Sequence, residues 1–464
     1  MQGGAKMASE TGCGGSDEGR SCACAGGGAP GSPASSSQDV VPAGSPSRTR
    51  SKAPRKVIRR NLVPDSILKD PQLNDAVSVL NANYDFEIHK TVWRIKKGGV
   101  KRVGLQFPEG LLMYSCAIAD ILEKFAGVEH TVILGDTTFG ACCVDDFSAK
   151  AMGVRAPSLF LSPEISPLAL FLTRSSLTPH KCELLIHYGH SCLVPVDETS
   201  IPCMYIFVNM KIDLQHFIES VKLTFEPDTR IILAGTIQFN KEMHASKKVF
   251  KEHFASVHVP QCKPLSSGEV LGCTAPQVSQ EGDVIVFIAD GRFHLEALMI
   301  ANPTIPAYRY DPYGRVLTLE KYDHDDMRRV RGNAVEAASR ARSFGLVLGT
   351  LGRQGNPRIL HRLEELLASR GLPYVVCLMS ELTPEKLALM KVDAWIQIAC
   401  PRLSIDWGEG FDLPILSPYE AWQALAGQER NGSYRMDFYS LDTGPWGNKF
   451  DPKKAEAAKE AVGL

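Results

Sequence analysis

Three cysteines stand out by their surroundings. Cys142 in GACCVDD, Cys273 in VLGCTAP and Cys400 in IACPRLS each follow an apolar, β-like run. Successive members lie about 130 residues apart, too far for a zinc ribbon or a ferredoxin, where paired ligands come from one loop. A shared site therefore needs three separate structural units converging on one point. Thiolates are soft ligands suited to iron-sulfur clusters, and a cube of four irons bound by only three cysteines leaves one iron free to hold a substrate. Such an open position separates a catalytic metal centre from a structural one. A single buried cysteine is ordinarily a small core hydrophobe; among the 13 cysteines of the chain, joint placement in loops after strands is what favours a shared site.

Other cysteines compete. Cys143 adjoins Cys142, and because consecutive residues leaving a strand point in opposite directions, only one of the two can face a common centre. The residues alone leave both open. Cys192, in HYGHSC, competes from the following loop. Cys116, Cys203, Cys262 and Cys377 sit inside or beside apolar runs and read as packing residues, while Cys13, Cys22 and Cys24 lie in a Gly/Ser/Ala/Pro tract that is poor ground for ligands.

The elements needed to position three loops are present. VGLQF, the helical LLMYSCAIADILEKFA and TVILG precede Cys142. IILAGTIQF, the helical KEMHASKKVFKEHF, VHVP and EVLG precede Cys273. GLVLGTLG, a helix around ILHRLEELL, YVVCLMS and AWIQIA precede Cys400. Short Val/Ile/Leu-rich strands alternating with amphipathic helices predict parallel sheets covered on both faces. Ligands of open parallel sheets sit outside the carboxyl ends of the strands. The expected fold is thus three similar α/β units in pseudo-threefold arrangement around a central site.

At 464 residues and 44% hydrophobic content, the chain has room for about three domains with packed cores. The boundaries read as a disordered Gly/Ser/Pro-rich tail at 1–56, units at 57–225, 226–342 and 343–440, and a C-terminal tail at 441–464. A net charge of -1 gives no global basic field for duplex nucleic acid. The basic run from Arg48 to Arg60 reads first as a solvated linker, with a nuclear import signal or an RNA-facing arm as the other readings. No apolar h-region opens the sequence, no apolar run reaches the roughly 18 residues of a membrane span, and dispersed cysteines in odd number suit a reducing compartment. A cytoplasmic protein is expected, with the nucleus left open by the basic run. Residues 154–181, Pro/Ser/Leu-rich and without clean periodicity, interrupt the first unit; they read as a surface insertion or, the favoured reading, as a splice or gene-model artefact.

The strings FPEGLL, DTTFGACCVDD, HYGHSC, QCKPLSSGEVLGCTAP, DGRFHLEALMIANP, AYRYDPY, GTLGRQGNP and ACPRLSIDWG closely resemble the 2-(3-amino-3-carboxypropyl)histidine synthase subunit 1 family, over roughly residues 57–440 with 154–181 outside the pattern. The resemblance implies a non-conventional radical enzyme that binds a [4Fe-4S] cluster and cleaves S-adenosylmethionine. It would transfer the 3-amino-3-carboxypropyl group to carbon 2 of a histidine imidazole in translation elongation factor 2, the first step of diphthamide synthesis. It implies Cys142, rather than Cys143, with Cys273 and Cys400 as cluster ligands. It also implies a homologous second subunit forming a heterodimer, and a small iron-binding electron donor with its reductase. For S-adenosylmethionine contacts the expected residues are Gly349, Gly352, Arg353 and Gln354 of the GTLGRQG loop, whose glycines admit a ligand close to backbone and whose arginine can pair a carboxylate. Arg292, with Asp290 and His294 beside it, is a similar candidate. His187 and His190 are given no acid-base role. A quinolinate-synthase-like dehydratase and a non-catalytic scaffold subunit are the alternatives; a scaffold would be expected to lack one of the three loop cysteines, and all are present.

Overall fold

The computed structural model describes residues 63–136, 138, 140–152, 182–189, 191, 193–278, 281–427, 434–436, 438–439 and 444–451. The 1–56 tail, the 154–181 stretch, His190 and Cys192 lie outside the described residues.

Three sheets follow one another along the chain. A two-stranded ribbon of β1 (Tyr84–Asp85) and β6 (Asn209–Met210) ties the beginning of the first unit to its end. Between them lie β2 (Arg102–Gln106), β3 (His130–Ile133), β4 (Leu184–Tyr188) and β5 (Cys203–Ile206), ordered β3-β2-β4-β5. The second sheet holds β7 (Arg230–Gly235), β8 (Ser256–His258), β9 (Val284–Ile288), β10 (Ala307–Asp311) and β11 (Val316–Glu320), ordered β8-β7-β9-β10-β11. The third holds β12 (Phe344–Gly349), β13 (Tyr374–Met379), β14 (Ala394–Ile398) and β15 (Ile415–Leu416), ordered β13-β12-β14-β15. Each sheet therefore runs second, first, third, fourth strand. All pairings within the three sheets are parallel except that of the added β11, which returns antiparallel along β10.

The strand sequences account for this. LLIHY of β4, VIVFI of β9 and AWIQI of β14 are buried at every position, as central parallel strands covered by helices on both faces must be. The helices bury one stripe. Helix Ile88–Gly98 turns Ile88, Thr91, Val92 and Ile95 inward, the spacing of a single helical face. Among the described residues no helix is long and apolar enough to cross a membrane.

Chain order and packing part company at two helices. Leu214–Thr224, grouped with the first unit in sequence, buries Phe217, Ile218 and Val221 against Ile231, Phe250 and Tyr310 of the second. His324–Ser339, grouped with the second, sends Val335 and Ala338 into the third core with Phe344, Leu346 and Leu363. An amphipathic helix settles on whichever sheet covers its apolar stripe, and its periodicity does not say which neighbour that is. Each sheet is thereby preceded by a helix packed on it, and the repeat begins one element earlier than the strands suggest.

The third unit contains a buried charge pair. Arg331 of helix His324–Ser339 donates to both carboxylate oxygens of Glu420 at 2.7 and 2.8 Å and to the Ile415 carbonyl. Glu420 also accepts from the Tyr434 hydroxyl and the Ser417 amide, inside the capping box that starts helix Pro418–Ala426. Removing one partner strands the other charge in the core. Glu420→Ala is expected to cost about 3–5 kcal/mol, read as a lowered midpoint of denaturant unfolding; a loss below about 1 kcal/mol, the scale of an exposed pair, would contradict it.

Candidate metal centre

The three sequence-predicted cysteines come from three loops at the carboxyl ends of strands. Cys142 lies in the 3-10 turn Ala141–Cys143 beyond β3. Cys273 lies in the long loop beyond β8, and Cys400 is the N-cap of helix Pro401–Trp407, just past β14. Two of the loops match in topology, each following the second strand of its unit. The third follows the third strand, so the loops are not strictly equivalent.

Cys142 and Cys273 pack together against Ala141, Leu193, Leu265 and Leu271. Cys142 and Cys143 both lie within electrostatic reach of Cys400. The Cys142 thiol is pushed well above its ordinary range by its hydrogen bond with Cys143, then by burial, then by the like charges that Cys143, Cys273 and Cys400 would carry. Burial raises the Cys400 thiol, partly offset by the Arg402 amide and guanidinium. Thiolates so gathered repel one another, and a cation held among them reverses that balance.

Cys143, whose sulfur is 4.0 Å from that of Cys142, is buried, and its carbonyl is held by Gln106. It is Cys142, not Cys143, that shares the Leu193 and Leu271 cluster with Cys273. Among the described residues no three Cys, His, Asp or Glu side chains close tightly enough for a single metal ion. The donor set is soft sulfur, which suits an iron-sulfur cluster, whose thiolate ligands sit on different metal atoms, better than a lone hard cation.

Buried glutamines at the ends of strands fix two of the three turns. Gln106, last residue of β2, donates to the Cys143 carbonyl at 2.9 Å and accepts from the Asp145 amide at 3.2 Å; its Oε1 also meets His187 Nδ1 at 2.8 Å. His187 thus orients a glutamine. Gln397 of β14 donates to the Cys400 carbonyl at 2.8 Å and accepts from the Ala399 amide at 3.0 Å. Sequence reasoning missed both residues. Their signal was a polar side chain in an otherwise apolar strand, which must find partners when buried.

Each cysteine loop is also clamped to a neighbouring unit. Asp146, beyond Cys142, accepts two 2.7 Å hydrogen bonds from Arg353 of the third unit. Glu269, before Cys273, accepts from the Ser191 hydroxyl of the first unit. Arg402, beyond Cys400, donates to Glu296 at 2.6 Å and to the Phe293 carbonyl at 2.8 Å, and stacks over the Phe293 ring, all in the second unit. The first loop holds the third unit, the second holds the first, and the third holds the second. The ring closes.

Arg353, expected at a substrate carboxylate, is paired with a protein one: its Nε and one of its two Nη atoms donate to Asp146, and its guanidinium covers Phe147. The glycines of its loop serve close packing. Gly352, at φ 56°, would drive a Cβ to 2.5 Å from the Cys143 backbone, and Gly349 abuts Ala399 next to Cys400. Gln354 follows in the same turn, its amide bonded to the Leu351 carbonyl. Arg292 is partnered by Glu296, Glu320 and the Lys321 carbonyl. Asp290 accepts from Gln238 at 3.2 Å. Cys116, read as a packing residue, is exposed on helix Ser115–Ala126; its apolar neighbours lie on the other side of that helix.

Burial raises the Asp146 carboxyl, but Arg353 and the Ser200 amide and hydroxyl outweigh it and hold the group below its ordinary value. Arg353→Ala leaves this fully buried carboxylate without its counter-ion, at an expected cost of about 3–5 kcal/mol. A depressed folded pKa contributes stability above the unfolded value of about 3.9 that is lost as the pH falls through the folded value. The deficit of Arg353→Ala relative to the parent, measured by denaturant unfolding, should therefore be largest at neutral pH and shrink as the pH falls and the unpaired, buried carboxyl of the variant takes up a proton; a deficit independent of pH down to about pH 3 would contradict the pairing.

The sequence profile of the family described as "Putative diphthamide synthesis protein" matches residues 107–156 and 174–435, omitting a part of the 154–181 stretch. The 2-(3-amino-3-carboxypropyl)histidine synthase subunit 1 of Dictyostelium discoideum is 49% identical over 395 residues, covering 83% of this chain and 78% of its own. That of Homo sapiens is 48% identical over 401 residues, covering 86% of this chain and 84% of its own. The crystal structure of Dph2 from Pyrococcus horikoshii with a 4Fe-4S cluster superposes with a TM-score of 0.60 at 24% identity, covering 77% of this chain and 94% of that one. The fold is shared with that protein, and the chain belongs to the diphthamide synthesis family, among the 2-(3-amino-3-carboxypropyl)histidine synthase subunit 1 proteins.

Proposed function

We propose that this chain is the transferase subunit that, with a [4Fe-4S] cluster, cleaves S-adenosylmethionine and places its 3-amino-3-carboxypropyl group on carbon 2 of one histidine imidazole in translation elongation factor 2. The observation that carries the reading is the meeting of Cys142, Cys273 and Cys400 from three clamped loops. The relatives' names support the transferred group, and the cluster of the Pyrococcus protein supports the cofactor.

When bound, the cluster supplies an electron and an iron with a free position for the sulfonium substrate. Cys142, Cys273 and Cys400 hold it as thiolates, releasing their protons as the metal binds. Ala141, Leu193, Leu265 and Leu271 line the site with apolar surface and keep water from a reactive fragment. Gln106 and Gln397 fix the turns so that the thiols need little rearrangement on binding. The Arg402 amide and guanidinium favour ionisation of Cys400.

The relatives' designation as subunit 1 supports a homologous second subunit, and the same reading calls for a small iron-binding electron donor, with elongation factor 2 as substrate and the reducing cytoplasm as the working compartment. Family membership sets aside the quinolinate-synthase-like alternative.

After anaerobic loading with iron and sulfide, alongside the second subunit, the parent and Cys143→Ala proteins are expected to retain cluster iron, sulfide and charge-transfer absorption. Cys142→Ala, Cys273→Ala and Cys400→Ala should fall to background. Full iron and sulfide in any of these three variants would falsify the ligand set, and a parent protein with none would leave the scaffold reading in its place.

A further inference from the structure

Beyond helix Pro418–Ala426, the described residues form a strap that crosses all three units. Tyr434 donates to Glu420 at 2.7 Å, Met436 packs with Ala297 and Ile300 of the second unit, and Lys449 pairs with Glu198 of the first at 2.8 Å. Arg362 donates to the Pro445 and Gly447 carbonyls at 2.8 and 2.7 Å, Asn356 donates to Asn448, and the buried Trp446 ring meets Tyr419 edge-on. The Asn448 amide bonds the Phe438 carbonyl at 2.7 Å and closes the strap on itself. Residues 444–451, assigned to a tail from sequence, are thus held at several points.

This anchoring places one side chain at the cysteines. Tyr439 packs against the Ala141, Leu193, Leu265 and Leu271 cluster on which Cys142 and Cys273 also pack, and its phenol lies within reach of Cys142. A cluster-bound thiolate has no proton to give, so there the phenol is the donor and sulfur the acceptor. It is a polar group brought by a separate segment to a mostly apolar wall.

We propose that Tyr439 is a positioning residue for the cluster reaction: its hydroxyl donates to the Cys142 thiolate and makes the bound cluster easier to reduce, while its ring shields that edge of the site from water. The inference rests on the proposed cluster site. Its physical basis is that hydrogen bonds to the sulfurs, together with solvent exposure, set the reduction potential of iron-sulfur centres. A donor withdraws electron density from sulfur and stabilises the reduced, more negative state over the oxidised one. The reaction begins with an electron from the reduced centre, so a residue that sets how readily the centre accepts that electron governs turnover without touching the substrate.

Tyr439→Phe removes only the hydroxyl and keeps the ring. Parent and variant, both anaerobically loaded, are compared by iron and sulfide content and by redox titration followed through visible absorption and electron paramagnetic resonance. The expected result is equal iron and sulfide, with the ratio of reduced to oxidised cluster at a fixed potential lowered about tenfold in the variant, about 59 mV for one electron. Coinciding potentials at full occupancy overturn this inference alone. A variant that loses its iron makes the hydroxyl a support for assembly and overturns the tuning role. A parent protein that takes up no iron overturns the cluster site and this inference with it.

Discussion

The structure depends on keeping three thiol-bearing loops in place where their charges, once ionised, oppose one another. Gathering thiolates in a buried space is unfavourable without a cation, so the loops cannot be held by the cysteines themselves. They are held from outside. Asp146 on Arg353, Glu269 on Ser191 and Arg402 on Glu296 form a ring in which each unit grips the next through a residue close to its own cysteine. Two of these contacts are ion pairs with directional hydrogen bonds, which fix geometry as well as proximity. Loosening one clamp displaces one loop and spoils a site that needs all three.

The clamps only work on stiff loops. Gln106 and Gln397 tie the cysteine turns to the ends of strands β2 and β14, so each turn inherits the rigidity of a buried parallel sheet. Gly352 and Gly349 let the third unit's loop approach the Cys143 backbone and Ala399, where any side chain would force the loops apart. The strap then adds Tyr439 from outside the repeat. Apolar cores make three stable units; the polar contacts between them decide how the units face each other.

Much of this was legible in the residues. Continuous apolar runs such as VIVFI and AWIQI read as central parallel strands, and Cys400 directly after AWIQI lies at its carboxyl end, whereas Cys142 and Cys273 lie farther along the loops that leave β3 and β8, and the EVLG run before Cys273 is not a strand. Other features were not legible, for physical reasons. Helix Leu214–Thr224 shows its apolar stripe but not which sheet covers it. Arg353 in a glycine-rich loop has the chemistry for a substrate carboxylate or for a protein one, and its partner lies 207 residues away. Cys400 follows a different strand from the other two cysteines, because convergence in space requires only that the loops reach one centre. Tyr439 sits beyond the repeat, with no local signal of its place.

The central claim is that one inorganic cluster is shared by loops from all three units. The most direct measurement is a crystallographic anomalous difference map at the iron edge, from protein loaded and frozen without oxygen. One compact peak within bonding reach of the Cys142, Cys273 and Cys400 sulfurs is predicted. Iron bound at only one of the three loops, or peaks at separate cysteines, would contradict the account.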